Sequence, residues 1–316
     1  MLRILKYILY VFVALIVLLG IYIQTNKVDD IPVDDLKAKW APAPSQFLDI
    51  EGMSIHLRDE GVKNDKTPIL LIHGTGASLH TWDGWVDALK QDRRIIRFDL
   101  PAFGLTGPEP SNNYKIERYA EVVVAVLDKL NVDKAIIAGN SLGGFISWAT
   151  TVIYPERVSQ LILVDASGYP YDSKSVPIGF KLSSNPLTAS MLKNFLPKSL
   201  VAKSVRNVYG NPDLVTDDLV QRYYELTLRE GNRKALKQRL IQTRPGPLAD
   251  KIPTISVPTL LIWGEKDLLI PLKFGERFDR EIPNSELVVF KELGHVPHEE
   301  DPEATVNAVK TFLEKH

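Results

Sequence analysis

Residues 139–143 read Gly-Asn-Ser-Leu-Gly, a G-x-S-x-G motif, and their flanks restrict the fold more than any other feature of the sequence. Residues 134–138, before the motif, are mostly apolar and have the length of a buried strand. Residues 144–152, after it, are apolar at helical spacing. A strand, a tight turn and a helix are the context in which this motif exposes a serine hydroxyl above a sheet. The sequence therefore predicts Ser141 as a nucleophile, although an ordinary glycine-rich turn would show the same letters.

The nucleophile needs partners, because a serine hydroxyl is weakly reactive at neutral pH without a base and an orienting acid. In this topology the partners follow in the order serine, acid, histidine, from loops after later strands. Residues 259–263 form an apolar strand pattern, and a Gly-Glu-Lys-Asp turn that ends at Asp267 follows it. We therefore predict Asp267 as the acid, with Glu265 in the same turn and Asp165 after the preceding strand as alternatives.

The predicted base is His295, which follows the strand pattern at residues 286–290 and so comes last in the expected order. His298, three residues later, is its local rival. The remaining histidines are His56, His73, His80 and His316. We assign His73 a structural role, because it begins a His-Gly-Thr-Gly turn after the buried strand at residues 68–72.

The same turn supplies part of a predicted oxyanion hole, the set of main-chain donors that a tetrahedral intermediate requires. Leu142 follows the nucleophile, and its N–H is the first predicted donor. Thr75 N–H is the second, and Gly74 and Gly76 on either side of it would let main chain approach the substrate.

Composition excludes several classes of function. The chain has 316 residues, of which 45% are hydrophobic and 24% charged, and its net charge is −1. We find no basic cluster that would indicate nucleic-acid binding. Because the chain contains no cysteine, disulfides, thiolate catalysis and cysteine metal sites are excluded. The predicted chemistry requires no metal and no cofactor.

The N-terminal residues 1–25 are predicted to form a transmembrane anchor. Residues 7–23 are free of charge and, with their neighbours, approach the roughly 20 residues that span a bilayer. A cleaved signal peptide is the alternative, but its apolar region would be about 7–15 residues long and would end in an A-x-A-like site. Arg3 and Lys6 precede the span and favour a cytoplasmic N-terminus, which would leave the domain on the outer, periplasmic or extracytoplasmic, face.

The rest of the chain divides into three parts. Residues 26–45 are polar and contain prolines, as a linker does, with a short helix predicted near residues 33–40. Residues 46–167 and 253–316 alternate apolar strand patterns with helical ones, which predicts a mostly parallel sheet covered by helices on both faces. Residues 168–252 show helical patterns alone, at 187–196, 198–208, 217–229 and 232–242, and are predicted to form a helical cap.

The cap would emerge at the edge of the sheet where Ser141 lies, since ligands bind at the carboxyl ends of parallel strands. Its first part is apolar and carries few charges, as pocket linings do. We select Met191 and Phe195 as predicted substrate-binding residues, although such side chains could equally pack the cap onto the core.

Several stretches together resemble the α/β-hydrolase superfamily over residues 46–316, and in particular its capped lipases, esterases and meta-cleavage-product hydrolases. They are residues 70–74 (LLIHG), 99–104 (DLPAFG), 139–143 (GNSLG), 163–168 (LVDASG), 263–267 (WGEKD) and 294–297 (GHVP). The resemblance implies the α/β-hydrolase fold with a helical cap. Two residues depart from the family pattern: Ala102 replaces a glycine, and Val296 stands where carbon–carbon hydrolases of this family usually carry tryptophan.

The sequence therefore predicts a membrane-anchored serine hydrolase that acts on a small-molecule ester or lipid through an acyl-enzyme. Carbon–carbon bond hydrolysis and acyl transfer on the same residues are the enzymatic alternatives. A non-catalytic ligand receptor on a hydrolase scaffold is the alternative from another class. The presence of a candidate serine, acid and histidine in the expected order argues against a receptor.

Overall fold

The computed structural model describes residues 2–170, 194–242, 244 and 246–316. Its centre is an eight-stranded sheet with the strand order β1-β2-β4-β3-β5-β6-β7-β8. The strands are β1 (Gln46–Ile50), β2 (Met53–Gly61), β3 (Ile69–Ile72), β4 (Arg94–Phe98), β5 (Ala135–Asn140), β6 (Val158–Val164), β7 (Thr259–Gly264) and β8 (Ser285–Phe290). β2 pairs antiparallel with both β1 and β4, and all other pairs are parallel. The predicted mostly parallel sheet is confirmed.

Helices cover both faces of this sheet, as predicted. The α-helices are α1 (Leu2–Thr25), α2 (Val33–Trp40), α3 (Asp83–Leu89), α4 (Ile116–Lys129), α5 (Leu142–Ile153), α6 (Lys198–Arg206), α7 (Asp217–Leu228), α8 (Asn232–Gln242), α9 (Lys273–Glu281), α10 (Pro297–Glu300) and α11 (Pro302–Lys315). β3 shows how the faces divide, because successive side chains of a strand point to opposite sides. Leu70 and Ile72 pack in the core that α4, α5 and α9 cover, whereas Ile69 and Leu71 pack in the core that α3 and α11 cover.

The helices α6, α7 and α8 lie between β6 and β7, in the segment for which we predicted a cap. Thr216 caps α7, because its hydroxyl accepts a hydrogen bond from Leu219 N–H at 3.2 Å. Most of the helix predicted at residues 187–196 lies outside the described residues. Its last residues are not helical: Asn194 is in a turn, and Phe195 forms a β-bridge with Lys27.

The helix α1 is long and apolar enough to cross a membrane, and its side chains are exposed along its length. The segment after it does not behave as the free linker that its composition indicates. Val28 N–H donates to Asn194 O at 2.8 Å, and Ile31 N–H donates to Leu228 O at 2.7 Å. The segment is therefore hydrogen-bonded to the region between β6 and β7, and its backbone groups are satisfied there.

Candidate active site

The turn that carries Ser141 is tightly packed and conformationally unusual. Ser141 stands between β5 and α5 with φ 56° and ψ −113°, a left-handed backbone that non-glycine residues rarely adopt. The flanking glycines are required by close packing. A Cβ atom on Gly139 would lie 2.2 Å from the carbonyl oxygen of Gly143, and one on Gly143 would lie 2.1 Å from that of Ile72. The turn therefore depends on glycine at both positions of the motif.

Hydrogen bonds fix the main chain of this turn against the neighbouring strand. Ser141 N–H donates to Val164 O at 3.1 Å, and Ser141 O accepts from Phe145 N–H and from Ser167 N–H, both at 3.0 Å. The Ser141 side chain stays half-exposed while its neighbours Asn140 and Leu142 are buried. It also stands at the N-terminus of α5, where a helix favours developing negative charge.

The predicted acid and base contact each other directly. Asp267 follows β7, His295 follows β8, and Asp267 Oδ2 lies 2.7 Å from His295 Nδ1. The other carboxylate oxygen, Oδ1, accepts hydrogen bonds from Leu269 N–H at 2.7 Å and Ile270 N–H at 2.9 Å. Both side chains are buried. Such a contact holds the imidazole in one orientation and, with Nδ1 as the donor, leaves Nε2 free to act as a base.

Three separate contacts hold the loop that carries His295. Asn140 Nδ2 donates to His295 O at 2.9 Å, and His295 N–H donates to Val208 O at 2.7 Å. Glu300 accepts from Gly294 N–H at 2.7 Å and from Gly210 N–H at 2.8 Å. The loop is thus attached both to the Ser141 turn and to the segment after α6. Neither Asn140 nor Glu300 is among the residues predicted from the sequence, although Asn140 is the variable residue before the serine in the motif.

The alternative acids occupy different environments. Glu265 is exposed to solvent, as an ordinary turn carboxylate would be. Asp165 is fully buried at the end of β6 and close to the predicted pair. Burial, together with the like charge of Asp267, raises the pKa of Asp165 well above its ordinary value.

A carboxylate oxygen of Asp165, one of Asp267 and a ring nitrogen of His295 all lie within 4.8 Å of one another, a spacing that could hold a metal ion. The 2.7 Å contact between Asp267 and His295, however, is the length of a direct hydrogen bond. We therefore describe these residues as an acid–histidine pair with a second carboxyl beside it.

The rival histidines are engaged elsewhere. His298 Nε2 lies 3.1 Å from Thr81 Oγ1, its ring packs 4.1 Å from that of Trp82, and burial lowers its pKa to about 3. His56 Nδ1 contacts the buried carboxylate of Asp99 at 2.7 Å. The ring of His73 joins its own turn to Leu100. Its Nδ1 donates to Gly74 O at 2.8 Å, and its Nε2 accepts from Leu100 N–H at 2.9 Å. This geometry matches the structural role predicted for it.

The predicted oxyanion residues lie against the Ser141 turn. A Cβ atom on Gly74 would lie 2.8 Å from Asn140 Oδ1 and 3.2 Å from Ser141 Cβ, so only main chain fits there. Thr75 and Gly76, the next residues, are half-buried, and Gly76 has a left-handed φ of 77°. Leu142 is buried at the start of α5. Thr75 and Leu142 stay predicted donors.

Of the two predicted cap residues, Phe195 lies among the described residues. Met191 lies outside the described residues. Phe195 is half-buried, and its ring packs edge-on against Tyr22 of α1 with 5.8 Å between ring centroids. Phe195 therefore has at least one partner besides a substrate, and its place in a pocket stays a prediction.

Comparison with known proteins assigns these features to a family. Residues 67–302 match the model of the alpha/beta hydrolase fold family. The chain is 28% identical over 273 residues to a 2-hydroxy-6-oxo-2,4-heptadienoate hydrolase of Pseudomonas putida, covering 83% of this chain and 93% of that protein. Among solved structures, a meta-cleavage product hydrolase of Pseudomonas fluorescens IP01 is 26% identical with a TM-score of 0.74, covering 85% of this chain and 97% of the other.

A second solved structure resembles the whole chain, including the N-terminal helix. It is a membrane phospholipase A with a TM-score of 0.70, and the match covers 100% of this chain and 99% of that one. At 22% identity, this likeness concerns the fold alone.

Proposed function

Since the chain belongs to the alpha/beta hydrolase fold family, we propose that it is a membrane-anchored serine hydrolase that cleaves carboxylic esters. The observation that carries the proposal is the contact between Asp267 and His295, which are 2.7 Å apart, together with the hydrogen bond by which Asn140 joins the His295 loop to the Ser141 turn. Serine, base and acid are the three groups that acyl transfer to a serine needs.

In the proposed reaction Ser141 Oγ attacks the ester carbonyl carbon while His295 takes the hydroxyl proton. The carbonyl oxygen becomes an oxyanion, which Leu142 N–H and Thr75 N–H stabilise. His295 then gives the proton to the departing alcohol oxygen as the carbon–oxygen bond breaks, which leaves an acyl-enzyme. Water then attacks the acyl carbon while His295 takes its proton, and His295 gives that proton to Ser141 Oγ as the bond between the acyl carbon and Oγ breaks. The acid is released, and Asp267 keeps the imidazole oriented throughout.

Carbon–carbon bond hydrolysis is the second candidate, because relatives named for that reaction match most of the chain. Val296 argues against it. Its side chain is buried with Val205, Tyr209, Val215 and Val220, so the position occupied by tryptophan in the resembling enzymes serves here to pack the loop against α6 and α7.

An ester substrate is also compatible with an exposed apolar α1, which would keep the site near a bilayer that contains lipid esters.

A fluorophosphonate probe tests the nucleophile directly in the full-length, detergent-solubilised protein. We expect labelling at Ser141 and its loss in Ser141→Ala, with p-nitrophenyl ester turnover lost in parallel. Ser204→Ala is the matched control, because that hydroxyl donates to Leu200 O within its own helix. Labelling at another residue, or turnover retained in Ser141→Ala, would refute the assignment. A dienoate meta-cleavage substrate hydrolysed faster than any ester in the panel would favour the second candidate.

The anchor and its orientation need separate tests. We expect the protein to stay in the membrane fraction after high-salt and carbonate washing, with residues 1–25 still attached. Protease added to intact spheroplasts should reach the domain if it faces outward. A mature N-terminus near residue 26 or 45 would instead show a cleaved signal peptide, and protection of the domain would reverse the orientation.

A further inference from the structure

Asp165 is a buried carboxyl that the reaction proposed above does not use. Its side chain is fully buried, and its φ of 44° places it in a left-handed turn directly after β6. Oδ1 accepts a hydrogen bond from Gly264 N–H at 3.1 Å. Oδ2 is also buried, yet it receives no hydrogen bond from an N–H or hydroxyl among the described residues. A buried polar atom of this kind calls for an explanation, because an unmade hydrogen bond is costly.

Two acidic groups raise the pKa of Asp165 through their charge. They are Asp267, in the loop after β7, and Glu300, on α10. His295, in the loop after β8, also lies nearby. One of its ring nitrogens is within 4.8 Å of a carboxyl oxygen of Asp165 and of one of Asp267. Two ionised carboxylates this close and this buried would repel each other strongly, and one main-chain N–H offers little compensation.

Asp267 already accepts three hydrogen bonds, from Leu269, Ile270 and His295, so both of its oxygens act as acceptors. Asp165 has one such bond. A single proton shared by this pair of carboxyls should therefore reside on Asp165. This division also explains the unsatisfied Oδ2, since a protonated carboxyl oxygen is a donor and Asp267 is the neighbouring acceptor.

We propose that Asp165 is a positioning residue of the active site, which carries a proton at neutral pH and donates it as an O–H hydrogen bond to the Asp267 carboxylate. The inference rests on the function proposed above, in which Asp267 orients His295. Burial raises the pKa of Asp165, and the Asp267 charge raises it further, in the direction that this role requires.

The extra donor would act on the base through the acid. With Asp165 protonated, the two carboxyls beside His295 carry one negative charge in total. If both were ionised, their combined charge would favour the protonated, inactive form of the imidazole up to a higher pH. The donor also gives Asp267 a further fixed contact, so that Oδ2 stays aimed at the ring. Loss of the donor should make Asp267 a stronger acceptor and should shift the pH dependence of the reaction.

A pair of variants separates this role from simple packing. In Asp165→Asn the amide can donate to Asp267 and accept from Gly264 N–H, and asparagine tolerates the left-handed backbone. We expect the rate of fluorophosphonate labelling at Ser141 to stay within about two-fold, and the acidic limb of its pH profile to stay in place, because the wild-type group is already neutral. In Asp165→Ala we expect roughly ten-fold slower labelling and an acidic limb moved to higher pH.

An acidic limb that moves to lower pH by about one unit or more in Asp165→Asn would overturn the proposal, because it would show that a negative charge had been removed. If the wild-type protein is not labelled at Ser141, the proposed function fails, and the protonation of Asp165 is then measured without activity. The infrared spectrum of protein with isotope-labelled aspartate should show the carbonyl stretch of a protonated carboxyl, and Asp165→Asn should lose it. Absence of that band in the wild-type protein would refute the proposal independently.

Discussion

The side-chain amide of Asn140 donates a hydrogen bond to the main-chain carbonyl of His295 at 2.9 Å. The same amide donates to Val164 O at 3.1 Å, so Asn140 joins the loop after β8 to β5 and β6. Because Asn140 adjoins Ser141 in the chain, this side chain links the candidate base directly to the turn of the candidate nucleophile. The first prediction tests this link.

Replacing Asn140 with alanine should lower kcat far more than it changes KM. A misplacement of about 1 Å between reacting groups can cost roughly 100-fold in rate, and the His295 carbonyl would lose the hydrogen bond from Asn140. Steady-state ester hydrolysis measures the effect. Asn284→Ala is the control, because Asn284 makes the same kind of bond, to Ser256 O at 2.8 Å, on the exposed surface. Equal kcat in both variants would show that the Asn140 contact has no part in the reaction.

The second prediction concerns the choice of acid. Asp267→Asn should retain the fold but lose on the order of 10⁴ in kcat, because an amide holds the imidazole in the wrong tautomer. Glu265→Gln, in the same turn, should have little effect, since Glu265 is exposed. Ester turnover measures the loss of kcat in the two variants, and thermal unfolding shows whether each retains the fold. The assignment of Asp267 is wrong if the glutamine variant is the damaged one.

The residues that could be predicted are those whose position follows from strand order. Ser141, Asp267 and His295 each follow a short apolar strand, and the carboxyl ends of parallel strands meet at one edge of a sheet, so their proximity was expected. Asn140 and Asp165 are different. Their contacts depend on where loops from separate strands come to lie, and a single sequence does not specify these distances.

The segment that follows α1 shows the same limit. Residues 26–45 have the composition of a linker, and local sequence predicts only the short helix that the structure has at Val33–Trp40. The hydrogen bonds of Val28 and Ile31 join residues about 170 to 200 positions apart in the chain. These hydrogen bonds are made by main-chain groups and not by side chains. For this reason no pattern of side chains in the sequence predicts them.

The third prediction addresses the proposed oxyanion hole. Gly74→Ala should slow fluorophosphonate labelling at Ser141 strongly, by roughly 100-fold, because the new Cβ must displace the turn that carries the proposed donor, Thr75 N–H. The clash is specific: the Cβ would lie 2.8 Å from Asn140 Oδ1 and 3.2 Å from Ser141 Cβ. Thr75→Ala is the companion variant and should label at close to the normal rate, since the proposed donor there is a main-chain N–H. A large loss in Thr75→Ala would instead assign the role to its hydroxyl.

The fourth prediction is a loss of stability in acid that depends on His298. Burial lowers the pKa of His298 from 6.5 to about 3 in the folded chain, whereas the unfolded chain takes up that proton near 6.5. Between these values the unfolded state binds the extra proton, so stability rises with pH and falls on acidification, by about 1.4 kcal/mol per pH unit for this histidine. His298→Gln should flatten the slope of unfolding free energy against pH by about that amount. His316→Gln, at the exposed C-terminus, should leave the slope unchanged.

The last prediction concerns the attachment of the segment that follows α1 to the region between β6 and β7. Arg233 on α8 donates from Nε to Asp30 Oδ1 at 2.7 Å and from Nη2 to Val28 O at 2.9 Å. The pair is partly buried, with 18% of the Arg233 side chain and 33% of the Asp30 side chain exposed, so its loss should weaken the local attachment. Proteolysis reports such local opening when opening and closing are fast relative to cleavage.

Arg233→Ala should therefore raise the rate of cleavage between residues 26 and 32 by roughly five- to ten-fold in nanodisc-embedded protein, while the thermal midpoint of the domain changes little. Fragment N-termini identify the cleaved bonds. Arg206→Ala removes an exposed arginine at the end of α6 and serves as the matched control. Equal cleavage rates in the two variants would show that the main-chain bonds of Val28 and Ile31 are sufficient to hold the segment. Faster cleavage in Arg233→Ala alone would show that Arg233 holds the segment that follows α1 against the domain.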